Sequence, residues 1–463
     1  MALLFDTIAA VSTPPGKGGV AVIRMSGEQA DRIGESLFSP KGNLTYRELK
    51  PRVQYYGYIV RCGEVIDDVL LVRYPAPKSY TGEDTVEISC HGGTLITRTV
   101  LEALLTEGAR AAEPGEFTRR AFINGKLTLT ETEAIGSLLD AHGSWQIKLS
   151  SEPSRRRLNE RISAIRERLV RAMSSMYARI DYPDEDLGDY GDGELLSELA
   201  AVKDMLLSLK NTYRTGRAIS EGITAAIVGK PNVGKSSFYN MLVGEDAAIV
   251  TSLAGTTRDV LEKSVSVGKV MLRLCDTAGI RHGENLDAVE QIGMNKSRKM
   301  MEKCELLFTI FDASRPFDDE DEAIIDSICK LNSTKIAVIN KCDRECVFDK
   351  ERLGSGFDRV LTLSTLNEAE AISAVTEALE ELFTDGKIAL GKEAVISSAR
   401  QHAALSRSLD FLCAACDALE LGISQDAVSS DVERSLGALG ELDGRAVSEE
   451  IVQDIFSRFC VGK

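Results

Sequence analysis

The chain contains 463 residues, of which 43% are apolar and 27% are charged, and this balance excludes disordered and collagen-like proteins. At about 150 residues per domain, its length predicts about three domains. The formal net charge of -16 argues against indiscriminate nucleic-acid binding by the whole molecule. No stretch approaches the roughly 18 uninterrupted apolar residues of a membrane span, and the first residues lack the basic flank of a signal peptide. We therefore expect a cytoplasmic protein with no membrane partner.

Cysteine and histidine usage predicts reduced thiols and no zinc site. The ten cysteines show no short paired framework, and none of the four histidines is spaced with cysteines as zinc ligands are.

Charge is distributed unevenly along the chain. Residues 110–171 carry 12 Arg or Lys against 8 Asp or Glu and could meet phosphate groups. Residues 181–194 carry seven acidic side chains and no basic one, which predicts a solvated loop between helices.

The first 120 residues predict a compact α+β domain. Runs rich in β-forming residues at 19–25, 54–61, 69–74 and 85–89 alternate with turns rich in Gly and Pro. One helical stretch lies near residues 94–107.

Helical periodicity flanks a second region of alternating strands and helices. It begins near residue 119, as in the series Leu158, Ile162, Ile165, Leu169, Met173 and Met176. It returns after residue 394 in the series Leu405, Leu409, Leu412, Cys416 and Leu419. Between the two lie strand-like runs at residues 224–228, 270–275, 306–311, 335–339 and 360–363.

This order predicts a parallel-sheet domain inserted into a helical domain. The predicted domains are residues 1–120, a helical part at 121–218, the inserted domain at 219–383 and a second helical part at 384–463. The ends of the insertion, near Ser220 and Gly386, should then lie close together.

A phosphate-binding loop follows the first strand of the inserted domain. Its sequence Gly-Lys-Pro-Asn-Val-Gly-Lys-Ser-Ser spans residues 229–237 and opens a helix. Glycines at both ends let backbone N–H groups curl around phosphates, and the helix N-terminus favours negative charge. Lys235 supplies a positive charge, and Ser236 is predicted to bind Mg²⁺. A chance glycine turn is the alternative, which the flanking strand and helix disfavour.

Two further motifs arrive in the order of a GTP-binding domain. Asp276-Thr277-Ala278-Gly279 follows one strand, where the aspartate would lie near the metal and the glycine near the terminal phosphate. Asn340-Lys341-Cys342-Asp343 follows another, where a carboxylate can accept both N–H donors of a guanine edge that adenine lacks. The supporting Ser-Ala expected after the last strand is present only as Ser364-Thr365.

The position after Gly279 holds Ile280, which cannot position a water molecule for hydrolysis. Glu290, further along the same segment, is the candidate for that role; a solvated helix residue is the alternative. In the segment before it, residues 251–259, Thr257 suits Mg²⁺. The predicted GTP-binding residues are Asn232, Val233, Gly234, Lys235, Ser236, Ser237, Thr251, Ser252, Leu253, Ala254, Gly255, Thr256, Thr257, Asp276, Thr277, Ala278, Gly279, Asn340, Lys341, Asp343 and Ser364.

Motifs outside the nucleotide site make the chain resemble one family in particular. Thr-Pro-Pro-Gly occurs at residues 13–16, Tyr-Thr-Gly-Glu-Asp at 80–84, Phe-Thr-Arg-Arg-Ala-Phe at 117–122 and Phe-Cys-Val-Gly-Lys at 459–463. Together with the nucleotide motifs these resemble the MnmE (TrmE) family of tRNA-modification GTPases. The resemblance covers nearly the whole chain, whereas small GTPases in general share only its middle third.

The resemblance implies a multidomain protein with a Ras-like P-loop G domain that hydrolyses GTP in a potassium-dependent way. The potassium ligands implied are Asn232, Thr251, Leu253 and Thr256, and Glu290 matches the catalytic glutamate. The family forms homodimers whose G domains meet across their switches. Potassium would supply the positive charge that other GTPases take from an arginine.

The family's N-terminal domain is similar to the tetrahydrofolate-binding fold of one-carbon enzymes and takes part in dimerisation. Its ligand is implied to be 5-formyl-tetrahydrofolate or methylene-tetrahydrofolate, and the matching positions are Arg24, Glu87, Lys126 and the C-terminal Lys463. As bare residues these are more often surface charges. Cys460 follows a helix predicted at residues 451–459 and lies near the implied folate. A redox or nucleophilic role is therefore predicted for it, with an inert packing residue as the alternative.

The function implied is modification of carbon 5 of the tRNA wobble uridine (position 34) with a carboxymethylaminomethyl or aminomethyl group. The family acts with the flavoprotein MnmG (GidA), in a heterotetramer, on tRNA. A GTP-dependent switch of the ribosome-assembly type, without modification chemistry, is the alternative; its usual KH-like RNA-binding domain is not evident in the sequence. A stand-alone folate aminomethyltransferase is a second alternative, but it would not need a guanine site.

Overall fold

The computed structural model describes residues 6–181, 192–244, 262–275, 301–386, 388–390, 392–445, 452, 455–457, 459, 460 and 462. The chain divides into two compact units. The first consists of Met1–Gly136 and Gly440–Lys463, and the second of Ser137–Leu439. This division differs from the predicted domains, because it groups the last residues with the N-terminal ones.

A seven-stranded sheet forms the first unit. Its strands, numbered along the chain, are β1 (Ile8–Val11), β2 (Val20–Ser26), β3 (Phe38–Pro40), β4 (Tyr55–Arg61), β5 (Glu64–Tyr74), β6 (Thr85–His91) and β7 (Arg110–Ala111). Their order in the sheet is β3-β4-β5-β6-β2-β1-β7, and every pair is antiparallel except β1 and β7. The helices are α1 (Ala30–Leu37), α2 (Thr94–Thr106), α3 (Glu116–Ile123) and α4 (Leu129–Leu139), with a 3-10 turn at Tyr46–Glu48.

Alternation along β1 shows how this sheet separates two apolar clusters. Ala9 belongs to the main core, to which α1 contributes Ile33 and α2 contributes Val100. Ile8 belongs to a smaller cluster, to which α3 contributes Phe117. Successive strand residues point to opposite faces, so both faces of the sheet are covered at this strand. The predicted α+β character, and the four predicted strands and helix, are confirmed to within a few residues.

The fully buried guanidinium of Arg120 on α3 joins the motif at residues 117–122 to the motif at residues 80–84. Arg120 is 1% exposed and donates hydrogen bonds to Glu83, at 3.2 Å, and to Glu116, at 3.1 Å. It also donates to the Asp6 carboxylate at 2.6 Å. Ser26 donates a further hydrogen bond to Glu83 at 2.8 Å. Buried charges need such partners, so this network holds α3 against the strand ends.

The second unit contains long helices and a second sheet. The helices of this unit are α5 (Ser144–Ser150), α6 (Glu152–Asp181), α7 (Asp192–Asn211), α8 (Tyr213–Ser220), α9 (Lys235–Val243), α10 (Asp319–Cys329), α11 (Glu368–Phe383), α12 (Ala399–Glu420) and α13 (Gln425–Asp443), with a 3-10 turn at Lys350–Leu353. Five of the six periodic residues predicted on α6 are buried, as are all five on α12; Met173 is the half-buried exception. Arg168 of α6 bonds both carboxylate oxygens of Glu198 on α7 at 2.6 Å.

The second sheet has six strands. They are β8 (Ile223–Val228), β9 (Glu262–Val267), β10 (Val270–Cys275), β11 (Leu306–Asp312), β12 (Thr334–Asn340) and β13 (Arg359–Thr362). Their order is β13-β12-β11-β8-β10-β9, and only the β9–β10 pair is antiparallel. The predicted parallel sheet is therefore confirmed, with β9 as an additional edge strand. Every residue of β11 is buried, because helices cover both faces.

The chain enters and leaves this sheet at neighbouring points. The Thr215 hydroxyl on α8 accepts a hydrogen bond from the Asp385 N–H at 2.9 Å. Ser220 at the end of α8 donates to the Ser397 carbonyl at 3.0 Å. The ends of the parallel sheet region therefore lie close together, as the sequence predicts.

Helices include both ends of the stretch that was predicted as an acidic loop. Asp181 ends α6, and Asp192 and Glu194 already belong to α7. Residues 182–191 lie outside the described residues. Among the helices that the structure describes, none combines the length and the apolar character needed to cross a membrane.

Replacing Arg120 with Met should strongly destabilise the first unit. The substitution removes the cation that Glu83, Asp6 and Glu116 share; Asp6 and Glu116 keep their ion pairs with Arg110, so the expected cost is about 1.5–3 kcal/mol. Calorimetric unfolding of the full chain measures the loss. The matched control is Arg98→Met on the exposed face of α2, where the ion pair with Glu102 lies in solvent and no measurable change is expected. Equal stability of the two variants would contradict a structural role for the network.

Candidate functional site

The phosphate loop follows β8, which lies between β10 and β11 in the second sheet. Gly229 and Gly234 both have positive φ angles, of 141° and 103°. A Cβ atom on Gly229 would collide with the Ile310 carbonyl, and one on Gly234 with the amide of Asn340. Only glycine therefore fits at either end of the loop. Lys235 begins α9, so the loop leads directly into a helix N-terminus.

The lysine of this loop lies over the main chain of the loop itself. Its ammonium group donates hydrogen bonds to the carbonyls of Gly229, at 2.8 Å, and of Lys230, at 2.5 Å. The hydroxyl-bearing residues Ser236 and Ser237 lie exposed on the first turn of α9. The predicted positions from Asn232 to Ser237 thus surround one helix N-terminus.

Asn340, at the end of β12, connects the phosphate loop to two other segments. Its side chain is 1% exposed. The amide group donates to the Val233 carbonyl at 3.1 Å and accepts from the Thr365 N–H at 3.1 Å. The next residue, Lys341, donates from its ammonium group to the Asn232 carbonyl at 2.8 Å. The structure therefore brings two motifs that are separated by about a hundred residues into direct contact.

Ser364 lies beside the carboxylate predicted to recognise the base. Its hydroxyl donates a short hydrogen bond to Asp343 and accepts one from the Leu366 N–H at 3.3 Å. Asp343 itself is exposed. The Ser364-Thr365 pair thus contacts both Asp343 and Asn340, although Thr stands where Ala was expected.

Sequence reasoning missed Asp312, the last residue of β11. Its side chain is buried and accepts hydrogen bonds from Lys341 at 2.6 Å and from the Ser314 hydroxyl at 2.7 Å. Burial acts to raise the pKa of the Asp312 carboxyl, but these hydrogen bonds and the charge of Lys341 lower it below its ordinary value of 3.8. The sequence did carry a signal for Asp312: it is a charged residue at the end of an apolar strand of the predicted parallel sheet, at the edge where the phosphate loop lies.

Several predicted residues lie outside the described part of the chain. They are Thr251, Ser252, Leu253, Ala254, Gly255, Thr256, Thr257, Asp276, Thr277, Ala278, Gly279, Glu290 and Lys463.

The first unit brings two of the predicted folate residues together. Arg24 on β2 and Glu87 on β6 face each other and form an ion pair at 2.8 Å. The Arg24 guanidinium also lies 5.2 Å from the centre of the Tyr80 ring and 5.7 Å from that of Phe117. Much of the charge of each member is therefore already balanced by the other, which sequence reasoning did not anticipate.

The described contacts of Lys126 and of the C-terminal segment are with other residues of the first unit. Lys126 donates to the Pro77 carbonyl at 3.0 Å. The Cys460 carbonyl accepts from the Gly115 N–H at 3.4 Å, and the side chain of Cys460 is exposed. The Gly462 carbonyl accepts from the Ser12 hydroxyl at 3.0 Å. The helix predicted at residues 451–459 lies partly outside the described residues.

Two family descriptions match this chain. "GTP-binding protein TrmE N-terminus" matches residues 7–126, and "MnmE helical domain" matches residues 129–460. The chain is 38% identical to the tRNA modification GTPase MnmE of Listeria welshimeri, over 99% of this chain and 100% of that protein. It is 36% identical to the protein of the same name from Acetivibrio thermocellus, over 99% of each chain.

A solved structure of an Aquifex aeolicus Era variant bound to GDP and AlF4⁻ is also similar in sequence. It is 24% identical and covers 41% of this chain and 66% of its own, with a TM-score of 0.25. At that TM-score the superposition is too poor to transfer fold or function.

The stability supplied by Asp312 should depend on pH in the acid range. Because the pKa of this carboxyl is lowered in the folded chain, its contribution is complete above 3.8 and is lost as the pH falls through the lower folded value. Asp312→Asn should therefore cost about 1.5–3 kcal/mol at pH 7 and less as the pH falls below about 4. Unfolding of both proteins from pH 7 to pH 3 measures the difference. A difference that does not change with pH would contradict the assignment.

Proposed function

This chain belongs to the MnmE family of tRNA modification GTPases, and from that premise we propose that it hydrolyses GTP as part of tRNA modification. The observation that carries the proposal is the contact of Asn340 and Lys341 with the phosphate loop. These contacts join a loop suited to phosphates to a motif suited to guanine. The chain is thus equipped to hold both ends of one nucleotide.

Guanine selectivity would rest on Asp343. A carboxylate accepts both N–H donors on the edge of guanine, whereas adenine offers no such pair. The Ser364 hydroxyl orients this carboxylate by a hydrogen bond, and Asn340 holds the Ser364-Thr365 segment through the Thr365 N–H. The geometry therefore favours GTP over ATP.

Oxygen atoms of this site would bind two cations, Mg²⁺ and K⁺. The exposed Ser236 hydroxyl, on the first turn of α9, suits Mg²⁺ together with Thr257. Asn232 has a φ of 63°, and Lys341 anchors its carbonyl, so its backbone is fixed. Its amide oxygen suits K⁺, together with Thr251, Leu253 and Thr256. When bound, the two cations balance the negative charge that develops on the phosphates.

The side chains of the chain then have separate roles. Lys235 neutralises phosphate charge, and the N–H groups of the loop orient the phosphates. Glu290 would hold the attacking water, and the remaining predicted GTP-binding residues, among them Asp276 and Gly279, would contact the phosphates and the metal. Hydrolysis would drive movement between open and closed G domains of a homodimer.

The N-terminal residues 1–120 would bind the folate and contribute to dimerisation. Glu87 can accept from the amino edge of a pterin, and the rings of Tyr80 and Phe117 near Arg24 supply flat apolar surfaces. Lys126 and Lys463 would meet other parts of the folate, and Cys460 would act near the modified base. A formyl- or methylene-tetrahydrofolate supplies the one-carbon unit when bound.

The helical parts, residues 121–218 and 384–463, would carry the G domain, residues 219–383, as an insertion. In the complete proposal the protein acts in the cytoplasm with MnmG (GidA), as a heterotetramer, on carbon 5 of wobble uridine 34. The basic stretch at residues 110–171 would face tRNA.

GTP turnover should depend on the alkali cation. We expect turnover at least about 10-fold faster in potassium chloride than in sodium chloride at equal ionic strength, because the smaller ion fits the oxygen ligands poorly. Asn232→Ala should remove this difference. Asn332→Ala, at an exposed residue of the same sheet domain, is the control and should keep it. Equal rates in both salts for the wild-type chain would exclude the potassium mechanism.

Cells lacking the protein should contain tRNA without the wobble-uridine modification. Mass spectrometry of tRNA nucleosides measures this, and the wild-type gene should restore the modification. Asp343→Asn should restore little, because its amide presents a donor to the guanine donors and weakens GTP binding. Normally modified wobble uridines in the cells that lack the protein would instead favour a ribosome-assembly switch.

A further inference from the structure

Lys230, the second residue of the phosphate loop, forms ion pairs with two carboxylates that lie outside the nucleotide motifs. Its side chain is 12% exposed, and its ammonium group lies between two carboxylates at the start of α10. It donates to Asp318 at 2.6 Å and to Asp321 at 2.7 Å. Asp321 is itself 3% exposed. The loop is therefore anchored to a helix that belongs to none of the nucleotide motifs.

The main chain of the same residue contacts the phosphate-loop lysine. The Lys230 carbonyl accepts a hydrogen bond from the Lys235 ammonium at 2.5 Å, next to the one accepted by Gly229 at 2.8 Å. The orientation of the 230 peptide thus determines where the ammonium group of Lys235 lies. Because the far end of the Lys230 side chain is held, the ion pair restricts the orientations open to the 230 peptide.

The carboxylates that hold Lys230 are fixed as well. Asp318 caps α10 and accepts hydrogen bonds from the N–H groups of Glu320, at 3.0 Å, and Asp321, at 3.2 Å. The Asp321 carboxylate accepts from the Asp318 N–H at 3.2 Å. Burial works against the charged ammonium, but these two carboxylates raise the pKa of Lys230, so it remains charged at neutral pH. The ion pair therefore connects two rigid elements.

We propose that Lys230 is a positioning residue for nucleotide binding: its ion pair with Asp318 and Asp321 orients the 230 peptide and, through it, the Lys235 ammonium group. The inference rests on the proposed GTPase function. Lys230 does not touch the nucleotide in this scheme. It acts through Lys235, by preorganising the loop before the nucleotide arrives.

The test measures nucleotide affinity and thermal stability of full-length variants. Lys230→Met should raise the dissociation constants for GDP and GTP about 5- to 30-fold and lower stability, because Asp321 loses its cation. Lys230→Arg should restore most of the affinity. Lys330→Met removes an exposed charge just after α10 and is the matched control, for which neither quantity should change.

The double variant Lys230→Met/Asp321→Asn separates positioning from simple stabilisation. Removing both charges relieves the uncompensated carboxylate, so stability should recover, whereas the anchor stays broken and affinity should stay low. Recovery of affinity in parallel with stability would show a purely structural role and overturn the proposal. So would a dissociation constant for Lys230→Met within twofold of the wild-type value. Failure of the wild-type chain to bind GTP would refute the proposed function instead.

Discussion

The amide of Asn340 is the contact on which the arrangement of the nucleotide site depends. A glycine-rich loop has main-chain carbonyls that no helix or strand pairs, and a buried carbonyl without a partner is costly. Asn340, at the end of β12, donates a hydrogen bond to one of these carbonyls, that of Val233. Its side-chain oxygen accepts a hydrogen bond from the Thr365 N–H, in the segment after β13. One planar side chain thereby fixes the distance between the phosphate loop and the segment beside Asp343.

Ion pairs of two lysines also hold the nucleotide motifs in place. Lys341 and Lys230 each extend from a nucleotide motif to carboxylates at or beyond the end of β11. Lys341 pairs with Asp312, and Lys230 pairs with Asp318 and Asp321. The first unit uses the same principle, with Arg120 held among carboxylates from separate segments. In both units, buried or half-buried ion pairs join motifs that lie far apart in the sequence. Such pairs specify geometry more than they add net stability.

Much of the fold was predictable because apolar periodicity follows directly from burial. The strands β10, β11 and β12 and the buried face of α12 agree with their patterns to within a residue or two. The two-residue strand β7 and the edge strand β9 were not predicted, since short or partly exposed strands carry little alternation. The extent of α6 and α7 into the acidic stretch was also missed, because charge alone does not prevent a helix.

The sequence by itself determined the motifs, their order and the types of residue that meet phosphate and guanine, because these depend on local spacing and on the chemistry of each side chain. Only the tertiary structure decided which of these residues touch one another. The pairing of Arg24 with Glu87 depends on strand register, and the clustering of Asp312, Asp318 and Asp321 around two lysines depends on which strands are neighbours in the sheet. Register and strand order arise from long-range packing, which no local pattern encodes.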